Sequence, residues 1–249
     1  MFVAASTACF PDLSLDDALS RLVDLEYTHV EIALSEQNQE LKPSQVAARF
    51  DDAVVRCRQL HRLTPAAFSV DITAEGDEYY RQFAACCRLA KAVKVVSIVI
   101  PGAELGTPFN AEVERLRALV ALATTEGVVV GLKTEGGRVT QDPDTVVVLC
   151  DNVKGLGVTL DPSHFVFGKA NPVSYDQLFK YVCHVQLRDT SASQFQVRVG
   201  QGAIEYGRLI SQLAQVRYDR ALSVMIGPMP DTDHSAEMRK LRLLLDSLL

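Results

Sequence analysis

The chain is 249 residues long, 48% hydrophobic, and carries 25 Lys+Arg against 31 Asp+Glu for a formal net charge of −6. This composition excludes a disordered chain and a broad basic face for nucleic acid or an anionic membrane. A small anionic substrate, which needs only one or two local cations, remains open, and the length suits a single α/β barrel.

In chain order, β-rich runs alternate with amphipathic ones. Strands are predicted at Phe2–Cys9, His29–Leu34, Leu63–Val70, Val93–Ile100, Val128–Thr134, Gly157–Asp161, Cys183–Arg188 and Ala221–Ile226. Several read as apolar on both faces, as expected with helices on one side and a barrel core on the other. Between them, helical spacing predicts Leu15–Leu25, with Ser14 as N-cap and Asp16 and Asp17 in its first turn. Further helices are predicted over Pro43–Leu60, Asp77–Ala92, Ala111–Glu126, Pro143–Asn152, Tyr175–Tyr181, Ile204–Gln215 and Ser235–Leu248. Val3 to Ala221 spans seven steps of about 31 residues, a natural length for one βα unit. Eight such units predict a single-domain (β/α)8 TIM barrel over residues 1–249. A doubly wound open sheet would more often show six strands and a glycine-rich first turn, whereas the first turn here, Ala8-Cys9-Phe10-Pro11-Asp12, has no G-x-G-x-x-G.

The six cysteines are scattered without a C-x-x-C, so reduced thiols in the cytoplasm are expected rather than a disulfide scaffold or zinc site. No apolar run approaches the ~20 residues of a membrane span, and the first ten residues lack the basic region of a signal peptide.

A barrel builds its site at the C-terminal ends of its strands. The polar residues there are Glu31; Ser69 and Asp71; Lys133 and Glu135; Asp161 and His164; and Gln186, Arg188 and Asp189, with Met225 ending the eighth strand. Singly, each reads as a cap or a structural hydrogen bond; their convergence on one mouth is the stronger signal.

Two motifs stand out: Gly157-Val158-Thr159-Leu160-Asp161-Pro162-Ser163-His164-Phe165, and His184-Val185-Gln186-Leu187-Arg188-Asp189 followed by Val199-Gly200-Gln201-Gly202. With Thr140-Gln141-Asp142-Pro143 upstream, the chain resembles the xylose isomerase-like barrel family of sugar-phosphate isomerases, ketose 3-epimerases and inosose-processing enzymes. Endonuclease IV is a distant cousin, but five histidines and a negative charge do not suit a repair nuclease. The resemblance implies one divalent metal (Mn, Mg, Co or Zn) held by a Glu ending strand five, an Asp ending strand six, a His on strand seven and a Glu ending strand eight. The two glutamates would move a proton at carbon beside a carbonyl that the metal polarises.

Carried over residue by residue, the resemblance places Asp161 at the metal Asp and His164 at the substrate-contacting His. Gln186 stands where the ligand His is expected. His184 shares its strand face but lies about 6–7 Å deeper. Strand five offers Lys133 or Glu135 at the ligand position, and parity does not choose between them. Met225 replaces the last Glu and is a poor ligand for a hard cation. No cofactor is therefore expected; a metal, if bound, would sit at Asp161 with Glu135. The expected catalytic residues are Lys133, Asp161 and His164, and the substrate-binding ones Glu31, Glu135, Gln186 and Arg188.

Lys133 either pairs with Asp161 or serves a ligand as a point charge or Schiff base, and Arg188 either pairs with Asp189 or a neighbouring loop acid or joins Lys133 and His164 around an oxyanion. The implied function is a sugar phosphate isomerase or epimerase-like protein acting on or binding a small sugar, sugar acid or sugar phosphate. The alternative is a catalytically degenerate sugar-binding or regulatory member, so enzymatic activity stays open. The expected partner is a small polyol or sugar anion, not nucleic acid or membrane, and a homo-oligomer is left open.

Overall fold

In a computed structural model that describes residues 1–37, 40–171 and 173–249, the eight strands close into one parallel barrel in sequence order, β1-β2-β3-β4-β5-β6-β7-β8. The strands are β1 Phe2–Ser6, β2 His29–Ser35, β3 Thr64–Asp71, β4 Ser97–Ile100, β5 Val129–Lys133, β6 Gly157–Leu160, β7 Val182–Leu187 and β8 Ala221–Val224. Pairing of β1 with β8 closes the ring, with Ala4 opposite Ser223. Among the described residues no helix is long and apolar enough to cross a membrane.

The helices are α1 Leu15–Asp24, α2 Pro43–Ala48, α3 Phe50–Arg58, α4 Gly76–Ala92, α5 Phe109–Thr125, α6 Pro143–Asn152, α7 Tyr206–Gln215 and α8 His234–Asp246. Their starts follow the chemistry of their caps. Ser14 accepts from the Asp17 amide at 3.1 Å, and Asp142 accepts from the Thr145 amide at 3.1 Å just before Pro143.

Several elements differ from the sequence expectation; the strand expected over Phe2–Cys9, for one, ends at Ser6 and gives way to a 3-10 helix, Thr7–Cys9. The helix expected over Pro43–Leu60 breaks at Arg49, whose φ of −135° and ψ of 64° leave the helical region and split it into α2 and α3. The strand expected from Val93 begins only at Ser97, because Lys94 at φ 64° and the Val95 amide bonded to the Ala90 carbonyl at 2.8 Å make residues 93–95 the C-terminal cap of α4. The helix expected at Tyr175–Tyr181 is a 3-10 helix, Asp176–Tyr181.

The two faces of the strands are unlike. Facing the helices are Val30, Ile32, Leu34, Val130, Leu132, Val158, Leu160, Val185, Leu187, Leu222 and Val224, each at most 1% exposed. This layer carries the apolar core. The inward row is small and polar instead: in-register neighbours include Ser6 with Glu31, Lys133 with Thr159, Thr159 with His184, and Gln186 with Ser223. The apolar barrel interior expected from sequence is therefore replaced by a hydrogen-bonded polar one. Gly131 sits in this row because a Cβ there would collide with the Thr159 hydroxyl.

Candidate functional site

At the bottom of the polar interior, Glu31 is fully buried. Its Oε2 meets His184 Nε2 at 2.6 Å, and its Oε1 accepts from Gln186 Nε2 at 2.7 Å. Burial opposes the charge of Glu31, but the hydrogen bond and charge of His184, with contributions from Ser223 and Gln186, outweigh it and hold the carboxyl below its ordinary range. The Gln186 side-chain carbonyl is buried and, among the described residues, makes no hydrogen bond.

Asp161, directly after β6, is likewise fully buried. Its Oδ1 accepts from the Ser163 amide at 3.1 Å and from the Ser163 hydroxyl, which makes Asp161 the cap of the short 3-10 helix Pro162–Phe165. Its Oδ2 accepts from Arg188 Nη2 at 3.0 Å and lies 3.7 Å from His164 Nε2. Burial again works against the charge, and Arg188, His164 and Lys133 overcome it, so Asp161 is held below the usual carboxylate range. Burial lowers His164, against the pull of Asp161. The Gly136 amide donates to His164 Nδ1 at 3.0 Å, which leaves the proton of the neutral ring on Nε2.

Over this cluster lies the loop after β7. Phe195 stacks on it, with the Arg188 guanidinium carbon 4.5 Å and the His164 ring 4.7 Å from its centroid. Asp189 anchors the loop by accepting from the amides of Thr190 at 3.0 Å, Gly200 at 2.7 Å and Gly202 at 3.1 Å. Any side chain at Gly202 would strike the Asp189 carboxylate. Gln196 ties the loop to the end of β8 through both the amide and the carbonyl of Gly227.

With that side roofed, the open cavity lies off-centre, at the ends of β2 to β5 and β8 and under the loop after β1. It holds about 450 Å³. Lys133, Glu135, Arg138, Asp71, Glu40, Gln37, Thr7, Ser35 and Ser69 supply its polar lining, and Phe10, Val99, Ile100 and Met225 part of its apolar wall. Glu135 Oε1 is 3.6 Å from Lys133 Nζ, and its Oε2 is 3.9 Å from Arg138 Nε.

The expected site residues thus divide into two groups. Lys133 and Glu135 line the cavity; Glu31, Asp161, His164, Gln186 and Arg188 are held in the layer beside and beneath it. Two expected pairings are corrected. Asp161 pairs with Arg188 rather than Lys133: both cations flank β6, but the Arg188 guanidinium reaches Asp161 Oδ2 at 3.0 Å while the Lys133 amine turns to Glu135 at 3.6 Å. Arg188 does not pair with Asp189, which faces the opposite way into its own loop. His164 and Arg188, in contact with Phe195, are not among the residues that line the cavity with Lys133. Arg138 and Phe195 were missed, since both stand in loops beyond the strand ends; the spacing of Arg138 three residues after Glu135 is the one available signal for it.

The donor set fits a divalent metal poorly. Both Asp161 oxygens are engaged by donors, Gln186 turns its amide toward Glu31, Met225 after β8 offers only a thioether, and Arg188 and Lys133 bring positive charge. Among the described residues no group of three or more His, Cys, Asp or Glu is placed to hold a metal ion.

The chain is similar in fold to a xylose isomerase-like TIM barrel protein from Mycobacterium smegmatis in complex with magnesium (TM-score 0.79, 15% identity, 99% of this chain and 97% of that one). It is also similar to the probable 3-DHS dehydratase AsbF involved in petrobactin synthesis from Bacillus anthracis (0.75, 16%, 99% and 99%). A third such structure is a D-allulose 3-epimerase from Methylomonas sp. (0.75, 12%, 100% and 98%). At these identities the likeness is one of fold. No curated protein matches the sequence. The profile of the xylose isomerase-like TIM barrel family matches residues 19–243, and with the closed eight-stranded barrel this makes the chain a member of the xylose isomerase-like TIM barrel family.

Proposed function

We propose that the chain binds and processes a small polyhydroxylated anion, a sugar acid or sugar phosphate, in the cavity lined by Lys133, Glu135 and Arg138, as an isomerase or epimerase-like protein that works without a divalent metal. The observation that carries this reading is the Arg188–Asp161 pair at 3.0 Å: a fixed guanidinium engages the carboxylate that the family would offer to a metal. Lys133 and Arg138 then supply the charge that an anionic ligand meets, with the Ser35 and Ser69 side chains beside them for hydroxyl groups. Sugar epimerases and a dehydratase among the structural neighbours agree with a small hydroxylated substrate. His164 and Gln186 act from beneath, and Glu31 orients Gln186. Six unpaired, buried cysteines suit the cytoplasm.

Calorimetric titration with a panel of sugar acids, sugar phosphates and neutral sugars in the presence of chelator tests the reading. Saturable binding of an anion but not of its neutral counterpart supports it, and binding only after a divalent metal is added refutes it. A second reading, a binding or regulatory protein without catalysis, draws on the engagement of Asp161 and Glu31 by their neighbours, which leaves Glu135 and Asp71 as the strand-end acids in the cavity. Ligand binding without turnover would select it.

A further inference from the structure

We propose that Lys133 is a nucleophile: its amine condenses with the ketone of a small anionic substrate, and Glu135 carries the protons. This rests on the reading above that the cavity takes such an anion.

Lys133 ends β5 inside the cavity, and no other lysine lines it. Its side chain is only 16% exposed, and among the described residues its amine makes no hydrogen bond; the nearest carboxylate oxygen, Glu135 Oε1, is 3.6 Å away. Asp161 is engaged by Arg188, and Glu135 lies between Lys133 and Arg138, while Asp71 and Glu40 line the same cavity. A guanidinium keeps its proton, whereas a lysine amine can lose one and attack carbon. Of the three cations, Lys133 is therefore the one able to do covalent chemistry, and it stands beside an acid that can receive its proton.

The step balances within these two residues and the substrate. Lys133 passes a proton to Glu135, its nitrogen bonds to the carbonyl carbon, and the nitrogen's second proton moves to the former carbonyl oxygen. Glu135 then returns its proton to that hydroxyl, which leaves as water, and a protonated imine remains. The cationic imine draws electrons from the neighbouring C–H bond, and the Glu135 carboxylate takes that proton to give the enamine. Return of the proton to either face of that same carbon re-forms the imine, and addition of water releases the substrate or its epimer and restores Lys133. Nothing is oxidised or reduced. The imine nitrogen supplies the electron sink, while Arg138 holds the anionic group and Phe10, Val99, Ile100 and Met225 limit water.

The test is trapping with sodium borohydride in the presence of dihydroxyacetone phosphate or hydroxypyruvate, followed by peptide mass mapping, with calorimetry of the same probes alongside. The expected result is one modified lysine, Lys133, heavier by the probe less one oxygen atom. That label should be absent in Lys133→Arg, checked for folding by its melting curve. Deuterium exchange into the probe at the carbon beside the carbonyl should fall by about 10²-fold or more in Glu135→Gln. Label spread over exposed lysines such as Lys91, Lys94 and Lys154, or binding with Lys133 unlabelled, overturns the imine while the anion reading stands. Neither binding nor label overturns both.

Discussion

Arg188 and Asp161 form a roofed ion pair inside the barrel mouth: Nη2 lies 3.0 Å from Oδ2, and Phe195 covers the guanidinium with its ring centroid 4.5 Å from the central carbon. Removing one partner strands the other charge in a dry environment. Arg188→Met should therefore destabilise the fold by about 3–5 kcal/mol. In the double variant Arg188→Met with Asp161→Asn, much of that loss should return. Urea unfolding of the two variants beside the unaltered protein measures both numbers, and a single variant that costs less than about 1 kcal/mol would show the pair to be wet and weak.

The same pair bears on metal binding. A ligand at one hundred times its dissociation constant stabilises a protein by about 2.7 kcal/mol, a shift easily seen in a melting curve. Dialysis against chelator should leave the melting temperature unchanged, as should millimolar Mn²⁺, Mg²⁺ or Zn²⁺. A metal-dependent rise that disappears in Asp161→Asn and in Glu135→Gln would reassign those two acids as ligands.

Stability should fall in two stages as pH drops. Burial holds His29, His164 and His234 below the ordinary 6.5. The unfolded chain therefore takes up protons first, and stability present above pH 6.5 is lost as pH falls through the folded values. Asp161 and Glu31 are held below their ordinary 3.8 and 4.5. Their contribution is complete above those values and disappears only at lower pH, as the folded carboxyls protonate. Urea midpoints measured from pH 8 to pH 3 should show both declines. Loss of the upper one in His164→Gln together with His29→Gln and His234→Gln would assign it.

The repeat of strand and helix made the barrel legible in the sequence, and strand parity correctly put 184, 186 and 188 on one inward face. Parity does not say which neighbour an inward side chain meets. Glu31 and His184 are 153 positions apart and touch only because the barrel brings β2 and β7 together across its interior. Arg188 and Asp189 are adjacent in sequence yet serve opposite sides of the strand, so proximity along the chain misled. The off-centre cavity was illegible for another reason. It is set by the Phe195 loop, whose course depends on Asp189 meeting the amides of Gly200 and Gly202 and on Gln196 meeting Gly227, 31 positions on, rather than on any periodic pattern. The break at Arg49 is equally local, and no glycine or proline marks it.

Lys133 gives the sharpest contrast with Arg188. Had it paired with Asp161, its loss would have left a buried acid unpaired. Its nearest carboxylate oxygen is instead that of Glu135, at 3.6 Å and partly exposed. Lys133→Met should therefore change stability by no more than about 1 kcal/mol, because Asp161 keeps Arg188 and Glu135 keeps Arg138. Affinity for a sugar acid or sugar phosphate should nonetheless fall by about tenfold or more, the equivalent of roughly 1.4 kcal/mol for one lost charge contact. Paired measurements, urea unfolding and calorimetry on the same preparation, separate the two effects. A variant that loses several kcal/mol of stability would return Lys133 to a structural role. A variant unchanged in both would remove it from the ligand site, leaving Arg138 as the cation on which anion binding in this cavity would have to rest.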